Sequence, residues 1–373
     1  MAMEFVHVTN EQRVLFGRGQ VTRHLRDEVD RIGARKPLLI ASARDSGLVE
    51  RMTAVLPPVV RIDEVRQHVP IENAERARLV ARESGADVLI AVGGGSATGL
   101  AKAIALTGGQ PIIAVPTTYS GSEGTDMWGL TENGTKTTGI DSAVLPVSVI
   151  YDADLAATLP IGLAVASGLN ALAHCVDALW APRADPINQA LALEATRALS
   201  AALRDIAGDS PDIDGEEAAA GRETAFYGTY LSAVAFASAG SGLHHKICHV
   251  LGGTFDMPHA QTHAVVLPYV LALNAPKLPA LSGRLAEVLG HRVDDRSGAP
   301  HAVQALEALR TDVAAPRSLA ALGLRADDIP EAVGRVVAIA PPSNPAPVTS
   351  ESIDALLRAA WAGTPATELR PSV

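Results

Sequence analysis

A short apolar run that leads directly into three glycines is the feature that most limits how this chain can fold. Residues 87–92 (DVLIAV) form the strongest strand pattern of the sequence, and they continue into Gly93–Ser96 and then into a helix pattern at 97–106. A continuous apolar run of this length predicts a strand that is buried on both faces. A strand that passes at once into a helix is typical of parallel sheets with helical crossovers.

The first 155 residues repeat this order of strand and helix. Strand patterns lie at residues 13–16, 37–42, 59–62, 87–92 and 111–115, and helix patterns lie at 21–32, 47–56, 71–84 and 97–106. Strands that alternate with helices pair in parallel through right-handed crossovers. The sequence therefore predicts that residues 1–155 form an α/β domain with a Rossmann-like, doubly wound parallel sheet.

The pattern changes after residue 155. Residues 156–373 contain a succession of Ala-rich helix patterns and no strand-like run. The sequence therefore predicts a second, all-helical domain, and this domain carries the histidines described below.

Composition excludes several classes of function. A chain of 373 residues with 47% hydrophobic residues can bury two cores. The net charge of -10 and the lack of a Lys/Arg run argue against a nucleic-acid partner. The cysteines, Cys175 and Cys248, are too few for a disulfide framework. No signal-peptide pattern opens the chain and no apolar run reaches the ~18 residues of a membrane span. We therefore expect a cytoplasmic protein without a membrane partner.

Two loops at the predicted carboxyl edge of the sheet favour a dinucleotide ligand. In the first loop, the glycines let the backbone approach a phosphate, and the N–H groups and dipole of the following helix attract it. The second loop, residues 116–123 (PTTYSGSE), follows the next strand, and ligands collect outside such strand ends. Tight turns without a ligand remain the alternative, since positions 93–98 (GGGSAT) match neither the G-x-G-x-x-G fingerprint nor a Walker loop.

Histidines are concentrated in one stretch of the predicted helical domain. Five of the eleven histidines fall within residues 242–263 (GLHHKICHVLGGTFDMPHAQTH), where Gly252-Gly253 is predicted to end a helix. Three pairs of polar residues lie four positions apart: His245 and His249, His259 and His263, and Asn170 and His174. This spacing places both members of a pair on one helix face. Imidazoles gathered in this way bind a metal, shuttle a proton or hold an anion, and the alternative is a set of core or surface histidines.

The order of these motifs resembles the iron-containing (group III) alcohol dehydrogenase family. The shared motifs are the strand–GGGS–helix with Lys102, the loop at 116–123, Tyr151-Asp152 with Leu155, and the histidine helices. The resemblance covers most of residues 10–270 and implies the dehydroquinate synthase-like fold of that family and a homodimer. Within the family, residues 93–104, 128–139 and 168–174 are most similar to the maleylacetate reductase branch.

The resemblance also implies a set of metal positions, but one of them is altered. Metal ligands would fall on His174, His245 and His259, and Asn170 stands where metal-dependent members carry an Asp. An amide oxygen is a weaker ligand for a divalent cation than a carboxylate. Three histidines can still bind zinc, yet the sequence favours no metal and an anion site instead. A metal-dependent alcohol dehydrogenase of the same family is the alternative.

The resemblance implies an oxidoreductase that acts on a CH–CH group, using NADH or NADPH to reduce the C=C bond of maleylacetate to 3-oxoadipate in aromatic compound catabolism. His249 and His245 are the expected groups that polarise the ketone and relay a proton. The expected contacts to the dicarboxylate substrate are His174, His244, His259, Lys246, Lys102, Asn170 and Tyr119. The expected cofactor contacts are Gly93, Gly94, Gly95, Ser96, Thr117, Thr118, Ser122, Lys136, Leu155 and Arg44. Lys102 and Lys136 can each serve a cofactor phosphate or a substrate carboxylate, and Asp256 is assigned to orient a histidine.

We predict that the enzyme uses both NADH and NADPH. In the family, the strand that corresponds to residues 38–42 usually ends in an Asp that holds the ribose 2′-hydroxyl, but here Ala43 and Arg44 follow it. Loss of the acid removes repulsion against a 2′-phosphate, and Arg44 can pair with that phosphate unless it is a solvated surface charge. Comparable kcat/KM values for the two cofactors would support the prediction, whereas strict use of NADH would contradict it.

Overall fold

The computed structural model describes residues 3–43, 46–132, 135–208, 215–290 and 301–369. It divides the chain into two compact units, one formed by Thr9–Leu159 and one by Met1–Val8 with Pro160–Val373. The sequence placed the boundary after residue 155 and kept the whole N-terminus in the first domain. The structure instead places the boundary after Leu159, and it groups the described residues before Thr9 with the helical unit.

Thr9–Leu159 is a doubly wound α/β unit, as the sequence predicts. Its strands are β1 (Arg13–Phe16), β2 (Pro37–Ala41), β3 (Val60–Ile62), β4 (Val88–Gly93), β5 (Ile112–Pro116), β6 (Met127–Glu132), β7 (Thr135–Ile140) and β8 (Ser148–Tyr151), and its helices are α1 (Val21–Ile32), α2 (Ser46–Thr53), α3 (Ile71–Ser84) and α4 (Gly95–Gly108). Six strands form a parallel sheet in the order β1-β8-β5-β4-β2-β3. The sequence analysis missed β8 and the separate antiparallel hairpin of β6 and β7.

The central strands are buried on both faces because helices cover both sides of the sheet. Side chains alternate along a strand, so Leu38 and Ile40 of β2 pack in the core cluster of α3 and α4. Leu39 and Ala41 of the same strand pack in the cluster of α1 and α2. Each large aliphatic side chain buried in this way contributes about 1.5–3 kcal/mol. The continuous apolar runs of β2, β4 and β5 are therefore what fixes this sheet.

The second unit is helical throughout its described part. Its helices are α5 (Ile161–Ala178), α6 (Pro186–Ala207), α7 (Glu216–Ala239), α8 (Leu243–Phe255), α9 (His259–Asn274), α10 (Pro279–Val288), α11 (His301–Asp312), α12 (Ile329–Ile339) and α13 (Ser350–Ala362). Helix α5 is long and apolar enough to cross a membrane by composition, but 83% of that window is buried inside the protein. It is the central helix of this core, to which it contributes Leu169, Leu172 and Val176.

The predicted end of a helix at Gly252-Gly253 is wrong. Helix α8 continues through both glycines to Phe255 and ends at Asp256, whose φ of 51° is left-handed. Glycine inside a helix costs about 1 kcal/mol relative to alanine. Packing of Val250 and Leu251 into the core of the helical unit outweighs that cost.

We expect Gly228→Val to destabilise the protein. A Cβ atom at Gly228 of α7 would lie 2.7 Å from Leu199 Cγ and 3.2 Å from the carbonyl oxygen of Ala195, both on α6. Overpacking of this kind costs about 1–3 kcal/mol, and each kcal/mol lowers the melting temperature by about 2–4 °C in a unit of this size. Gly283→Ala in α10 is the control, because nothing lies within 4 Å of its added Cβ. Equal melting temperatures for the two variants in thermal unfolding would contradict the prediction.

Candidate active site

Three helices of the second unit place their histidines in one buried cluster. Helix α5 contributes Asn170, His174 and Asp177, whose spacings of four and three put them on one face. Helix α8 contributes His244, His245 and His249, and α9 contributes His259 and His263. The rings of His174 and His245 are stacked, with centroids 5.0 Å apart, and those of His245 and His263 lie 4.8 Å apart. The structure thus brings together the histidines that the sequence singled out.

Asp177 is the buried carboxylate on which this cluster is built. Its Oδ2 accepts hydrogen bonds from the backbone N–H groups of Gly242 at 3.1 Å and His245 at 3.3 Å, and it lies 2.7 Å from His245 Nδ1. Gly242 is the N-cap of α8 and has no capping side chain of its own. Asp177 therefore takes the place of an N-cap residue, at the end of the helix where the dipole favours an anion. Burial raises the pKa of Asp177, and the hydrogen bonds from these backbone N–H groups oppose that rise.

The ring of His245 is held in one orientation. Asp177 engages Nδ1, and the rings of His174 and Phe236 lie against the imidazole, with centroids 5.0 Å and 4.2 Å away. A carboxylate at Nδ1 favours the tautomer with its proton on that nitrogen, and it stabilises the imidazolium. Nε2 is therefore the nitrogen through which an acid–base role of His245 would operate.

Behind His245, His244 and His263 form a buried pair. His244 Nε2 lies 2.9 Å from His263 Nδ1, and neither side chain is exposed. Burial lowers the pKa of His244 to about 3 and that of His263 well below its usual value. The thiol of Cys248 lies 3.6 Å from His244 Nε2, and burial raises its pKa well above the usual range. Both imidazoles and the thiol are therefore neutral.

This neutrality corrects two predicted roles. His244 and His174 were expected to pair with substrate carboxylates, which calls for a positive charge or an accessible donor. Burial lowers the pKa of His174 well below its usual value, and the neighbouring His245 lowers it further. His244 has its Nε2 engaged by His263 and has no exposed surface. His244 cannot reach a substrate, and a neutral His174 can offer at most a hydrogen bond.

His249, His259 and Lys246 lie on the more open side of the cluster, and each is half-buried. The ring of His249 lies 6.1 Å from that of His245, and the ring of His259 lies 4.4 Å from that of His263. Contact with a substrate is therefore open to these three side chains. Their catalytic and binding roles remain predictions.

The donor set does not fit a carboxylate-bearing iron site. Among the described residues, the ligand atoms close enough to share an ion belong to His244, His245 and His263. Two of those imidazoles already hydrogen-bond to each other, and the carboxylate that the family pattern leads one to expect is replaced by the buried amide of Asn170. Non-haem iron(II) sites typically combine two histidines with a carboxylate.

The two glycine- and hydroxyl-rich loops lie side by side at the carboxyl ends of β4 and β5. The carbonyl of Gly93 accepts a hydrogen bond from Thr117 N at 3.0 Å. A Cβ on Gly94 would lie 3.0 Å from Thr118 Oγ1, and one on Gly95 would lie 3.3 Å from Ser120 Oγ. Gly94 is the N-cap of α4 and makes no side-chain capping bond. Gly94 and Gly95 therefore let the second loop pack closely against the N-terminus of α4, and such a cradle, a helix N-terminus flanked by hydroxyl side chains, suits a pyrophosphate.

The other predicted cofactor and substrate residues fall into different surroundings. Ser96, Ser122 and Leu155 are half-buried at or near the same edge of the sheet, and Arg44 lies outside the described residues. Lys136 lies on β7 with its stem over Gly129, and burial lowers the pKa of its amine.

Two predicted substrate contacts do not fit the geometry of the structure. Tyr119 is fully buried in the α/β unit, so a small ligand cannot reach its ring. Lys102 is 1% exposed, and its amine is hydrogen-bonded to four protein oxygens. Neither side chain is available to a substrate carboxylate.

Sequence reasoning missed Asp177 and Phe236 as parts of the cluster, and it gave His263 no role of its own. The signal for Asp177 was present, since it lies three residues after His174 and so shares its helix face. Asp256 was assigned the orienting role instead, but it is exposed at the C-cap of α8 and takes no part in the hydrogen bonds described above. Phe236 had no local signal, because its contact with His245 is formed between α7 and α8.

Comparison with known proteins identifies the family to which this chain belongs. The family model described as iron-containing alcohol dehydrogenase matches residues 11–153, and that for the C-terminal part of the Fe-containing alcohol dehydrogenase family matches residues 164–361. A maleylacetate reductase of Sphingobium indicum is 43% identical over 97% of this chain and 99% of its own length.

Two solved structures are similar over almost all of both chains. An iron-containing alcohol dehydrogenase of Corynebacterium glutamicum has a TM-score of 0.92 and 49% identity, with 99% of this chain and 100% of the other covered. A maleylacetate reductase of Agrobacterium tumefaciens has a TM-score of 0.87 and 36% identity, with coverages of 98% and 100%.

We expect Asp177→Asn to lower kcat by about 10²–10⁴ with little change in the KM for the cofactor. The amide keeps the shape of the side chain but no longer favours a proton on His245 Nδ1, and loss of the correct tautomer has an effect of that order in catalytic triads. Steady-state kinetics of the folded variant measure this. Asp256→Asn is the control and should keep wild-type kinetics. An Asp177→Asn enzyme within twofold of the wild-type kcat would show that the carboxylate does not serve catalysis.

Proposed function

The chain belongs to the iron-containing alcohol dehydrogenase family, and within that family we propose that it is a maleylacetate reductase, which reduces the C=C bond of maleylacetate to 3-oxoadipate with NADH or NADPH. The observation that carries this proposal is the 43% identity to a maleylacetate reductase over nearly the full length of both chains. The enzyme is accordingly an oxidoreductase that acts on a CH–CH group.

The reaction defines what the protein must supply. Maleylacetate carries two carboxylates and a C=C bond conjugated to a ketone. A bound nicotinamide supplies a hydride to the alkene carbon β to the ketone, so that the alkene electron pair moves towards the ketone oxygen as an enolate. A proton added to the α-carbon completes the product. The protein must therefore offer hydrogen-bond donors to the ketone oxygen and deliver one proton.

His245 and His249 are the groups that we assign to these tasks. Asp177 holds His245 Nδ1 at 2.7 Å, so His245 presents Nε2 to the reaction and its imidazolium is stabilised. His249 lies one turn further along α8 and is half-buried, which suits a group that takes up a proton from water and passes it on. One such donor, placed at a developing oxyanion, is typically worth about 10²–10³ in rate.

Recognition of the two carboxylates falls to the more open side of the cluster. Lys246 and His259 are half-buried there, whereas His174, His244 and His263 are neutral. We assign Lys246 to one carboxylate, because a lysine amine is a compact cation with three donors. His259 at the N-terminus of α9 is assigned to the other carboxylate, since the helix dipole adds positive charge there.

The cofactor phosphates are assigned to the N-terminus of α4. Gly94 and Gly95 let the hydroxyl side chains of Thr118 and Ser120 approach this N-terminus closely, and the first turn of α4 contains no acidic residue. Thr117, Thr118 and Ser122 of the neighbouring loop are half-buried and supply hydroxyl donors. Leu155 and Lys136 remain proposed contacts to the rest of the cofactor.

We propose that the reduction needs no metal. The support is chemical, since Asn170 replaces a carboxylate and the imidazole atoms that lie close together are partly engaged with each other. The alternative is a metal-dependent alcohol dehydrogenase. It is favoured by one observation, which is the 49% identity to a structure described as an iron-containing alcohol dehydrogenase.

We also propose a homodimer in the cytoplasm that acts in aromatic compound catabolism. The family resemblance supports the dimer, and the burial of α5 inside the helical unit is consistent with a soluble enzyme. Sedimentation equilibrium of the purified protein at several concentrations tests the dimer. A single species with the mass of one chain would contradict it.

Purified enzyme should oxidise NADH when freshly prepared maleylacetate is added, and a chelator should leave that rate unchanged. The physical reason is that imidazoles oriented by the protein replace the metal as the electrophile. Absorbance at the NADH band and metal analysis of the same preparation measure this. Loss of activity with chelator that iron or zinc restores would contradict the metal-free proposal. Turnover of simple alcohols without turnover of maleylacetate would establish the alternative function.

A further inference from the structure

Lys102 is a buried cation that joins two segments of the α/β unit. It lies seven residues after Gly95, the first residue of α4, and is 1% exposed. Its amine donates hydrogen bonds to the carbonyl oxygens of Ser122 at 2.7 Å, Thr125 at 2.7 Å and Met127 at 2.8 Å, and to Thr125 Oγ1 at 3.0 Å. All these acceptors lie within the six residues that follow Gly121.

We propose that Lys102 is a positioning residue, which holds the Ser122–Met127 segment against α4 in the geometry that binds the dinucleotide. This inference rests on the proposed function, because it assigns the loop at 116–123 to the cofactor. It replaces the predicted direct role of Lys102, in which the amine itself contacted a phosphate or a carboxylate.

The chemistry of the four acceptors favours a charged lysine at this place. A buried cation is expensive unless its protons are all satisfied by hydrogen bonds and a counter-charge is near. Here four oxygens surround the amine, and the charges of Glu123 and Asp126 favour its protonated form. Burial lowers the pKa of Lys102 to about 7 despite them. A methionine would fill a similar volume without the free-energy cost of burying a charge. What the lysine adds is a set of hydrogen bonds that fixes the position of the segment.

The segment that Lys102 holds is continuous with the cofactor cradle. Gly121 adopts a left-handed φ of 74°, and the 3₁₀ turn Ser122–Gly124 follows it directly. A second set of bonds secures the same turn, since Gln12 Nε2 donates to the Glu123 carbonyl at 2.9 Å and the Tyr151 hydroxyl donates to the Glu123 carboxylate at 2.8 Å. The turn that carries Ser122 is therefore held in place jointly by Lys102, Gln12 and Tyr151.

The helix that Lys102 belongs to is also the helix that receives the phosphate. Gly94 and Gly95 at its N-terminus face Thr118 and Ser120 of the second loop at close range. The distance between the two loops is therefore set at two places, by these contacts at the open edge and by Lys102 underneath. A pyrophosphate that contacts both loops is sensitive to that distance.

The test compares Lys102→Met with Arg78→Met. Arg78 is also a buried cation of this unit. It donates a hydrogen bond to the backbone carbonyl of Ala103 on α4 at 2.9 Å, but it makes no hydrogen bond to the Ser122–Met127 segment.

Titration of the full chain with NADH, followed by fluorescence, gives the Kd for NADH, and thermal unfolding gives the melting temperature. We expect Lys102→Met to raise the Kd about tenfold or more, because hydrogen bonds to a charged group are lost. Arg78→Met should lower the melting temperature and leave the Kd within twofold.

A split between kcat and KM separates positioning from general damage. With saturating NADH, Lys102→Met should keep most of the wild-type kcat while its KM for NADH rises in parallel with the Kd. A folded Lys102→Met protein with wild-type Kd and KM would overturn the inference, and so would an equal rise in Kd for Arg78→Met.

Thr125→Val provides the second variant if Lys102→Met does not fold. It removes one of the four acceptors, the Oγ1 at 3.0 Å, and leaves the lysine in place. A rise in the Kd for NADH of about two- to fivefold supports the inference, and an unchanged Kd overturns it. The proposed function fails separately, if the wild-type protein neither binds NADH nor reduces maleylacetate.

Discussion

The geometry of the histidine cluster depends on one buried carboxylate oxygen. Asp177 Oδ2 caps the first turn of α8 and contacts the ring of His245. Because α8 carries His244, His245 and His249, the bond that fixes where this helix begins also fixes where those imidazoles lie relative to α5. The same atom therefore stabilises the helix and sets the tautomer of its central histidine. A site built in this way needs no flexible loop to place its reactive nitrogen.

Packing then divides the imidazoles into two kinds. His174, His244 and His263 are buried among one another, and burial disfavours the charged form of each imidazole. They are neutral and act by shape and hydrogen bonding. His249, His259 and Lys246 are half-buried. We therefore expect any positive charge that contacts an anionic substrate to lie on that side of the cluster. The aromatic ring of Phe236 packs against both His174 and His245.

What the sequence could predict follows from how local each signal is. The run from β4 through Gly93–Ser96 into α4 is contiguous, so the α/β unit and its phosphate cradle were predictable. The hairpin of β6 and β7 was missed because its strands are rich in Thr and Gly and lack a clear apolar alternation. Lys102 was assigned to a ligand because it lies next to a glycine loop in sequence, whereas its extended stem reaches carbonyls about twenty residues further along the chain. Contacts between different helices, such as that of Phe236 with His245, produce no pattern of residue spacing that could predict them.

The amide of Asn170 bears on two properties of the cluster, which are its affinity for a metal and the charge of the substrate that it can accept. The cluster already contains one buried carboxylate, Asp177, whose Oδ2 accepts hydrogen bonds from backbone N–H groups and lies 2.7 Å from His245 Nδ1. A second carboxylate at position 170 would need its own cation, which a bound metal ordinarily provides. It would also repel a dianionic substrate, since two like charges 4 Å apart interact by about 4 kcal/mol at an effective dielectric constant of 20. An amide at this position removes both the demand for the ion and the repulsion. An amide at this position thus suits the proposed metal-free reduction of a dicarboxylate better than a carboxylate would.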